Sequence, residues 1–250
     1  MDLVVIGAGP SYTDRPGATG AAYLVETPGQ RPLLLDLGQG SFPGLASRTE
    51  PAGLAAVLVS HLHPDHFIDL IPLRHYLRWE RPSGRRVRVI GPAGLADRID
   101  ALHDEPGFTA ASLDVEALRE GVMAVDGYGV EASRVTHTDS SFGVRVTAPG
   151  DRVGLVYSGD CGVAEDLDPL IRPGDALLCE ISFGAGPVAP GSGHLDGPMV
   201  GALAARTRVG RVLLTHLQMG YDRDTAIASV RERYDGPVEL VDPGFATTID

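Results

Sequence analysis

The chain is poor in several things at once. It has two cysteines, Cys161 and Cys179, too few for a disulfide framework, so both are expected to be free, partly buried thiols in a reducing compartment. Aromatic residues make up only 6% of its 250 residues, and a single tryptophan is present. No apolar run approaches the ~20 residues that cross a bilayer, and the N-terminal "MDLVVIGAGP" lacks the basic region of a secretory signal. A cytoplasmic protein with no membrane partner is the expectation. Cations are also scarce: 21 Lys and Arg face 33 Asp and Glu, for a formal net charge of -12. Long nucleic acids are held largely by neutralising their phosphates with cations, so this balance argues against one as a partner. A small phosphorylated ligand drawn to a local cationic centre stays compatible with it.

What the chain has in plenty is Gly (32) and Pro (19), set between short apolar stretches. These read as strands at 2–6, 21–26, 32–37, 56–60, 86–90, 129–136, 142–147, 152–158, 175–181, 211–215 and 237–241. Helices are expected at 64–78, bent by Pro72, at 196–207 behind the N-cap Asp196 with Pro198 in the first turn, and at 223–234. No repeat, low-complexity tract or linker divides the chain, which predicts one domain over 1–250. "VVIGAGPSY" starts like a dinucleotide-binding turn, but Tyr12 occupies the third glycine position and no helix follows. A strand and a loop are the simpler reading, and the loop matters only if it borders a site.

The chemistry concentrates in "VLVSHLHPDHFIDL", residues 57–70, where His61, His63, Asp65 and His66 crowd behind a buried-strand pattern. One such histidine is usually an ordinary surface or core residue. Four ligand-type side chains at this spacing are costly to desolvate unless a cation sits among them, and imidazole with carboxylate suits zinc-like metals. Three more candidates stand just past apolar strands: His137 in "SRVTHTDSS", Asp160 in "GLVYSGDCG" and His216 in "RVLLTHLQ". His75, His103 and the arginines of "RRVRV" at 85–89 read as solvated residues without a role.

In this order, with Asp36 of "LLLDLGQG" ahead of them, the residues resemble the metallo-β-lactamase-fold hydrolases, and the likeness spans nearly the whole chain. The resemblance implies an α/β (α+β) fold of four αββα layers, with a dinuclear metal site at the edge of two sheets. It implies two divalent ions, zinc with manganese or iron as alternatives: one held by His61, His63 and His137, the other by Asp65, His66 and His216, with Asp160 bridging. Asp36 then supports the ligand loop rather than ligating, and Asp65 counts with the catalytic residues as well as the ligands.

Two further stretches, "LLCEISF" and "GSGHLDG", resemble the ribonuclease Z branch, where a histidine (here His194) sits over the scissile phosphate. Glu180 is expected to hold that imidazole, although "GHLDG" replaces the Ser/Thr-rich segment usual after it. Only 22 residues separate His137 from Asp160 and read as two strands and a turn, leaving no room for a tRNA-gripping arm. The nearer likeness is to small actinobacterial cyclic-nucleotide phosphodiesterases of the atypical class II group. Cys161 departs from the small hydroxyl residue often found after the bridging Asp, which raises the question of a thiol ligand. The resemblance thus implies metal-assisted hydrolysis of a small-molecule phosphodiester, with a homodimer left open. The alternatives are a metal-dependent esterase or lactonase and a metal-binding module without catalysis.

Overall fold

The computed structural model describes residues 1–15, 17–81, 84 and 86–250. In its first half, β1 (Asp2–Gly7), β2 (Ala22–Glu26), β3 (Leu33–Leu35), β4 (Ala56–Leu58), β5 (Val87–Gly91) and β6 (Leu113–Ala117) are joined through helices α1 (Phe42–Arg48), α2 (Pro64–Phe67), α3 (Leu70–Trp79) and α4 (Leu95–His103). The second half supplies β7 (Gly121–Val125), β8 (Tyr128–Arg134), β9 (Phe142–Thr147), β10 (Leu155–Tyr157), β11 (Ala176–Glu180), β12 (Arg211–Thr215), β13 (Val238–Leu240) and β14 (Ala246–Thr248). Helices α5 (Gly197–Thr207) and α6 (Arg223–Arg231) flank β12 in sequence.

The strands make two seven-stranded sheets, ordered β14-β1-β2-β3-β4-β5-β6 and β13-β12-β11-β10-β9-β8-β7. Each is half antiparallel and half parallel: β14 through β3 alternate in direction and β3 through β6 run together, and likewise β7 through β10 alternate while β10 through β13 run together. The period of two along a strand decides what each face buries. Tyr23, Val25, Leu33 and Leu35 meet Val144, Val146, Leu155 and Leu178 between the sheets. Their neighbours Leu24 and Leu34 turn outward onto Leu45, Phe67, Leu73 and Ile99 of the first helical layer. Leu177, Val212 and Leu214 do the same against Val200, Leu203 and Ala226 of the second. Near-continuous apolar strands are what a sheet covered on both faces needs. The layers are helix, sheet, sheet, helix, the architecture expected of the metallo-β-lactamase fold.

Several expectations are corrected. The helix expected at 64–78 is two, α2 and α3, parted at Ile68–Asp69. Pro72 does not bend it, because it lies in the first turn of α3, where its missing N–H has no intrahelical partner to lose. His75 and His103 are half-buried rather than solvated: His103 stacks on Phe108 at 3.7 Å between centroids, and His75 packs edge-on to His103 at 5.2 Å. In the 85–89 stretch, Arg88 forms a two-pronged ion pair with Glu116 of β6 at 2.8 and 2.9 Å, and Arg86 meets Asp114 at 3.0 Å. Arg85 of that stretch lies outside the described residues. No helix among the described residues is long and apolar enough to cross a membrane.

Candidate metal centre

Loops leaving the strand ends of both sheets converge on one point. His61, His63, Asp65 and His66 come from the β4–α2 turn, where His63 is the N-cap residue and Pro64 opens the helix. His137 follows β8, Asp160 follows β10 and His216 follows β12. The turn is stitched to the first sheet by backbone: Asp65 O accepts from Ala21 N at 2.9 Å, and His66 O from Leu37 N at 2.8 Å. A Cβ on Gly38 would stand 1.8 Å from Asp65 O, so only glycine permits this approach. His216 and Asp36 both adopt positive φ (61° and 59°), uncommon for residues with a Cβ and found mostly where surrounding contacts fix them.

Two clusters result. In the first, His61 Nε2 lies 3.1 Å from His63 Nδ1, which lies 3.0 Å from His137 Nε2. Asp160 Oδ2 closes the group at 3.8 Å from His61 Nε2 and 3.7 Å from His137 Nε2. Four donors around a tetrahedral zinc, with bonds of about 2.0–2.1 Å, stand roughly 3.3 Å apart. In the second, Asp65 Oδ2 lies 3.2 Å from His216 Nε2 and 3.8 Å from His66 Nε2. Asp160 Oδ1 is 3.3 Å from His66 Nε2 and 3.5 Å from His216 Nε2. Asp160 therefore turns one oxygen to each cluster, the disposition of a bridging ligand. All seven residues expected as ligands are brought together.

The imidazole tautomers follow from what lies behind each ring. Asp36 Oδ2 accepts from Ser60 Oγ and from His66 Nδ1, both at 2.7 Å. Ser60, having given its proton to Asp36, accepts His61 Nδ1–H at 3.1 Å. Tyr157 donates a further hydrogen bond to Asp36 at 2.7 Å. In the second sheet Ser182 gives its hydroxyl proton to Glu180 Oε2 at 2.5 Å and receives His216 Nδ1–H at 3.0 Å. His137 donates from Nδ1 to Gly193 O at 2.7 Å. In His61, His66, His137 and His216 the Nε2 is thus left for the cluster, while His63 turns Nδ1 inward. Such outer partners fix ring orientation and raise ligand basicity.

A metal fits these donors. His66 Nε2 and Asp160 Oδ1 are buried polar atoms without a hydrogen-bond partner among the described residues, which is costly unless a cation satisfies both. Burial, then the neighbouring His66, holds the His61 imidazole well below its usual pKa, and burial with His137 lowers His63. Burial would raise Asp160, but His216 and His66 overrule it and hold the carboxyl well below the usual range. Cys161 stays outside both clusters: its thiol bonds Val163 O at 3.1 Å and packs with Ala164 and Leu167.

His194 stands beside the centre. Its Nδ1 lies 2.9 Å from Glu180 Oε1, 3.2 Å from Ser182 Oγ and 3.9 Å from Asp160 Oδ2. Burial pulls its pKa down, but the hydrogen bond and charge of Glu180 carry the net shift upward. With Asp160 and His216 it also forms a third group of ligand-type atoms. A cavity of about 280 Å³ opens over these residues, lined by His63, Asp65, Asp160, His194 and His216 together with Tyr12 and Gln218. The loop after β1, set aside as a cofactor turn, therefore does border the site. Sequence reasoning missed Ser60, Tyr157 and Ser182. Their only signal was position, each at or just past the end of an apolar strand.

A family model described as a beta-lactamase superfamily domain matches residues 32–217. The chain belongs to this superfamily. Over 246 residues it is 33% identical to the uncharacterized protein Rv1339 of Mycobacterium tuberculosis, covering 96% of this chain and 89% of that one. It is 27% identical over 281 residues to a ribonuclease Z of Mycolicibacterium paratuberculosis, covering 100% and 99%. Among solved structures, the metallo-beta-lactamase fold protein YhfI of Bacillus subtilis superposes with a TM-score of 0.86 over 98% of both chains, at 21% identity. The resemblance read from the sequence holds, and the fold it implied is the fold observed.

Proposed function

We propose that this superfamily member is a dinuclear-metal phosphodiesterase acting on a small phosphodiester, with cyclic nucleotides in the class. The observation that carries it is His194, held on Glu180 and Ser182 beside both clusters and lining the same cavity. Two divalent ions, zinc in the first instance, would be held by His61, His63 and His137, by Asp65, His66 and His216, and jointly by Asp160. When bound, they supply Lewis acidity for a phosphoryl oxygen and lower the pKa of water.

The chain's own residues do the rest. With Nδ1 committed to Glu180, His194 offers Nε2 to the substrate. As imidazolium it faces the charge that builds on the equatorial oxygens of a phosphoryl transition state. When water attacks phosphorus and the P–O ester bond breaks, the Nε2 proton passes to the leaving oxygen. Glu180 keeps the ring charged and aimed. A lactone or carboxylic ester develops charge on one oxygen only, so a further cationic imidazole favours the phosphodiester over the esterase or lactonase alternative.

Size points the same way. The cavity of about 280 Å³ falls at the small end for ligand pockets, and the interval between His137 and Asp160 holds only β9, a turn and β10. The acidic balance of the chain adds no grip on a long polyanion. The test is the zinc- or manganese-loaded protein assayed on bis-(p-nitrophenyl) phosphate, p-nitrophenyl acetate and an aliphatic lactone. Preference for the phosphodiester is expected. Preference for the ester or lactone overturns the reading, and metal binding without turnover of any of them leaves a binding module.

A further inference from the structure

The loop that follows β1 presents a side chain the chemistry above does not use. Tyr12 is 65% exposed, the largest exposure of any aromatic except Trp79, and it lines the metal-site cavity. At that exposure most of the ring lies in water, and it belongs to none of the three core clusters of the described residues. In the free protein its face is available to a ligand.

The backbone that carries it is tied down on both sides. Ala8 O accepts from His216 N at 3.0 Å, and Gly9 N donates to Thr19 O at 2.7 Å. The Gln39 amide donates to Pro10 O at 3.2 Å and to Ser11 O at 3.4 Å. Beyond the tyrosine, the Arg15 guanidinium reaches Thr13 Oγ1 at 3.3 Å and Leu217 O at 2.9 Å, bonding the loop to the segment behind His216. The ring is therefore open while its Cα is fixed relative to a cluster residue. That is a preorganised contact rather than a loose side chain.

Gln218, two residues past His216, lines the same cavity. Its backbone N–H bonds Ser182 O at 3.3 Å, but its side-chain amide makes no hydrogen bond among the described residues. A flat ring surface and a free amide, one donor and one acceptor together, are the two features that bind an aromatic heterocycle: stacking for the face, hydrogen bonds for the edge. Tyr12 also lies outside the 32–217 stretch that the family model matches, whereas every residue of the His/Asp clusters lies inside it.

We propose that Tyr12 and Gln218 form a nucleobase subsite, with the base stacked on Tyr12 and its polar edge on the Gln218 amide while the phosphodiester sits at the metal centre. The proposal rests on the phosphodiesterase reading and narrows its substrates to those carrying a base.

Two chromogenic phosphodiesters with one leaving group test it in the metal-loaded protein: thymidine 5′-(p-nitrophenyl phosphate) and methyl p-nitrophenyl phosphate. The readout is the ratio of their kcat/KM values. Stacking on one aromatic side chain predicts a ratio of about 10–100 in favour of the thymidine ester. Tyr12→Ala should reduce the ratio about tenfold or more, Tyr12→Phe should keep it, and Gln218→Ala should lower it less. A wild-type ratio near one, or a ratio unmoved in Tyr12→Ala, overturns the subsite. Calorimetric binding of adenosine 5′-monophosphate to the same metal-loaded proteins separates the two claims. If neither ester is turned over but the nucleotide binds and Tyr12→Ala weakens it, the phosphodiesterase reading falls and the subsite stands. If the esters are turned over and nucleotide binding is indifferent to Tyr12, only the subsite falls.

Discussion

His66 donates its Nδ1–H to Asp36 Oδ2 at 2.7 Å, a contact between residues 30 apart in sequence and both fully buried. Asp36 also accepts from Ser60 N at 2.7 Å, so one carboxylate fixes the ring and the start of the ligand turn together. Replacing Asp36 with Asn removes the charge and one acceptor while keeping the shape. Metal affinity should fall about 10–100-fold, the range for such outer partners. Competition with a chelating dye measures it, and unchanged affinity would detach Asp36 from the centre.

Asp160 is expected to set stoichiometry. The loaded protein should hold close to two ions per chain, and Asp160→Ala should lose at least one. Two neighbouring cations would then repel without the carboxylate between them. Elemental analysis decides: full metal content in the variant would sink the bridging assignment.

His194→Ala should leave metal content and folding intact but lower kcat on an unactivated phosphodiester by ~10²–10⁴, the range for one general acid. With p-nitrophenolate leaving, little protonation is needed and the loss should be smaller. Glu180→Gln should show the same pattern weakly. Equal losses on both substrates would reduce His194 to a charge at the site, and lost metal would make it a ligand.

The two thiols should be silent in the native protein. Burial pushes Cys161 up to about 12 and raises Cys179 well above its usual range. Since the thiolate is the nucleophile, iodoacetamide at pH 8 should leave both unmodified until denaturant is added. The sign for stability follows: between about pH 9 and 12 the unfolded chain gives up thiol protons that the fold retains. Stability should therefore fall as pH rises through that window. Rapid alkylation of the folded protein would contradict the burial of both residues.

Much of this was legible in the sequence because strands covered on both faces are apolar throughout and the ligands follow directly behind them. The strands around the site were placed within a few residues, as in "LLTHL" and "YSGD". What escaped lies at the periphery or in backbone geometry. Strand β7 ("GVMAV") is an edge strand with most residues exposed, so it carries no burial pattern to read. Helix α1 opens "FPG" and buries only Leu45, which reads as a loop. Helix α4 buries just Leu95 and Ile99 while Leu102 stays exposed, too thin a stripe to announce itself. The left-handed backbone of Asp36 and His216 has only a weak signature: Asp and His enter that region more often than other residues with a Cβ, but still in a small minority of cases.

The repeated strand pattern of the two sheets extends to the groups behind the imidazoles. In each sheet a buried carboxylate takes the proton of a serine at a strand end, and that serine receives an imidazole N–H: Asp36, Ser60 and His61 in one, Glu180, Ser182 and His216 in the other. Each carboxylate also takes a second imidazole directly, His66 in the first and His194 in the second. On the proposed reading, the first half commits both of its rings to metal, whereas the second keeps one and lends the other to the substrate. Catalyst and scaffold would then differ by the assignment of one histidine. Moving such a protein between storing metal and using it would need no new architecture, only a change in what His194 faces.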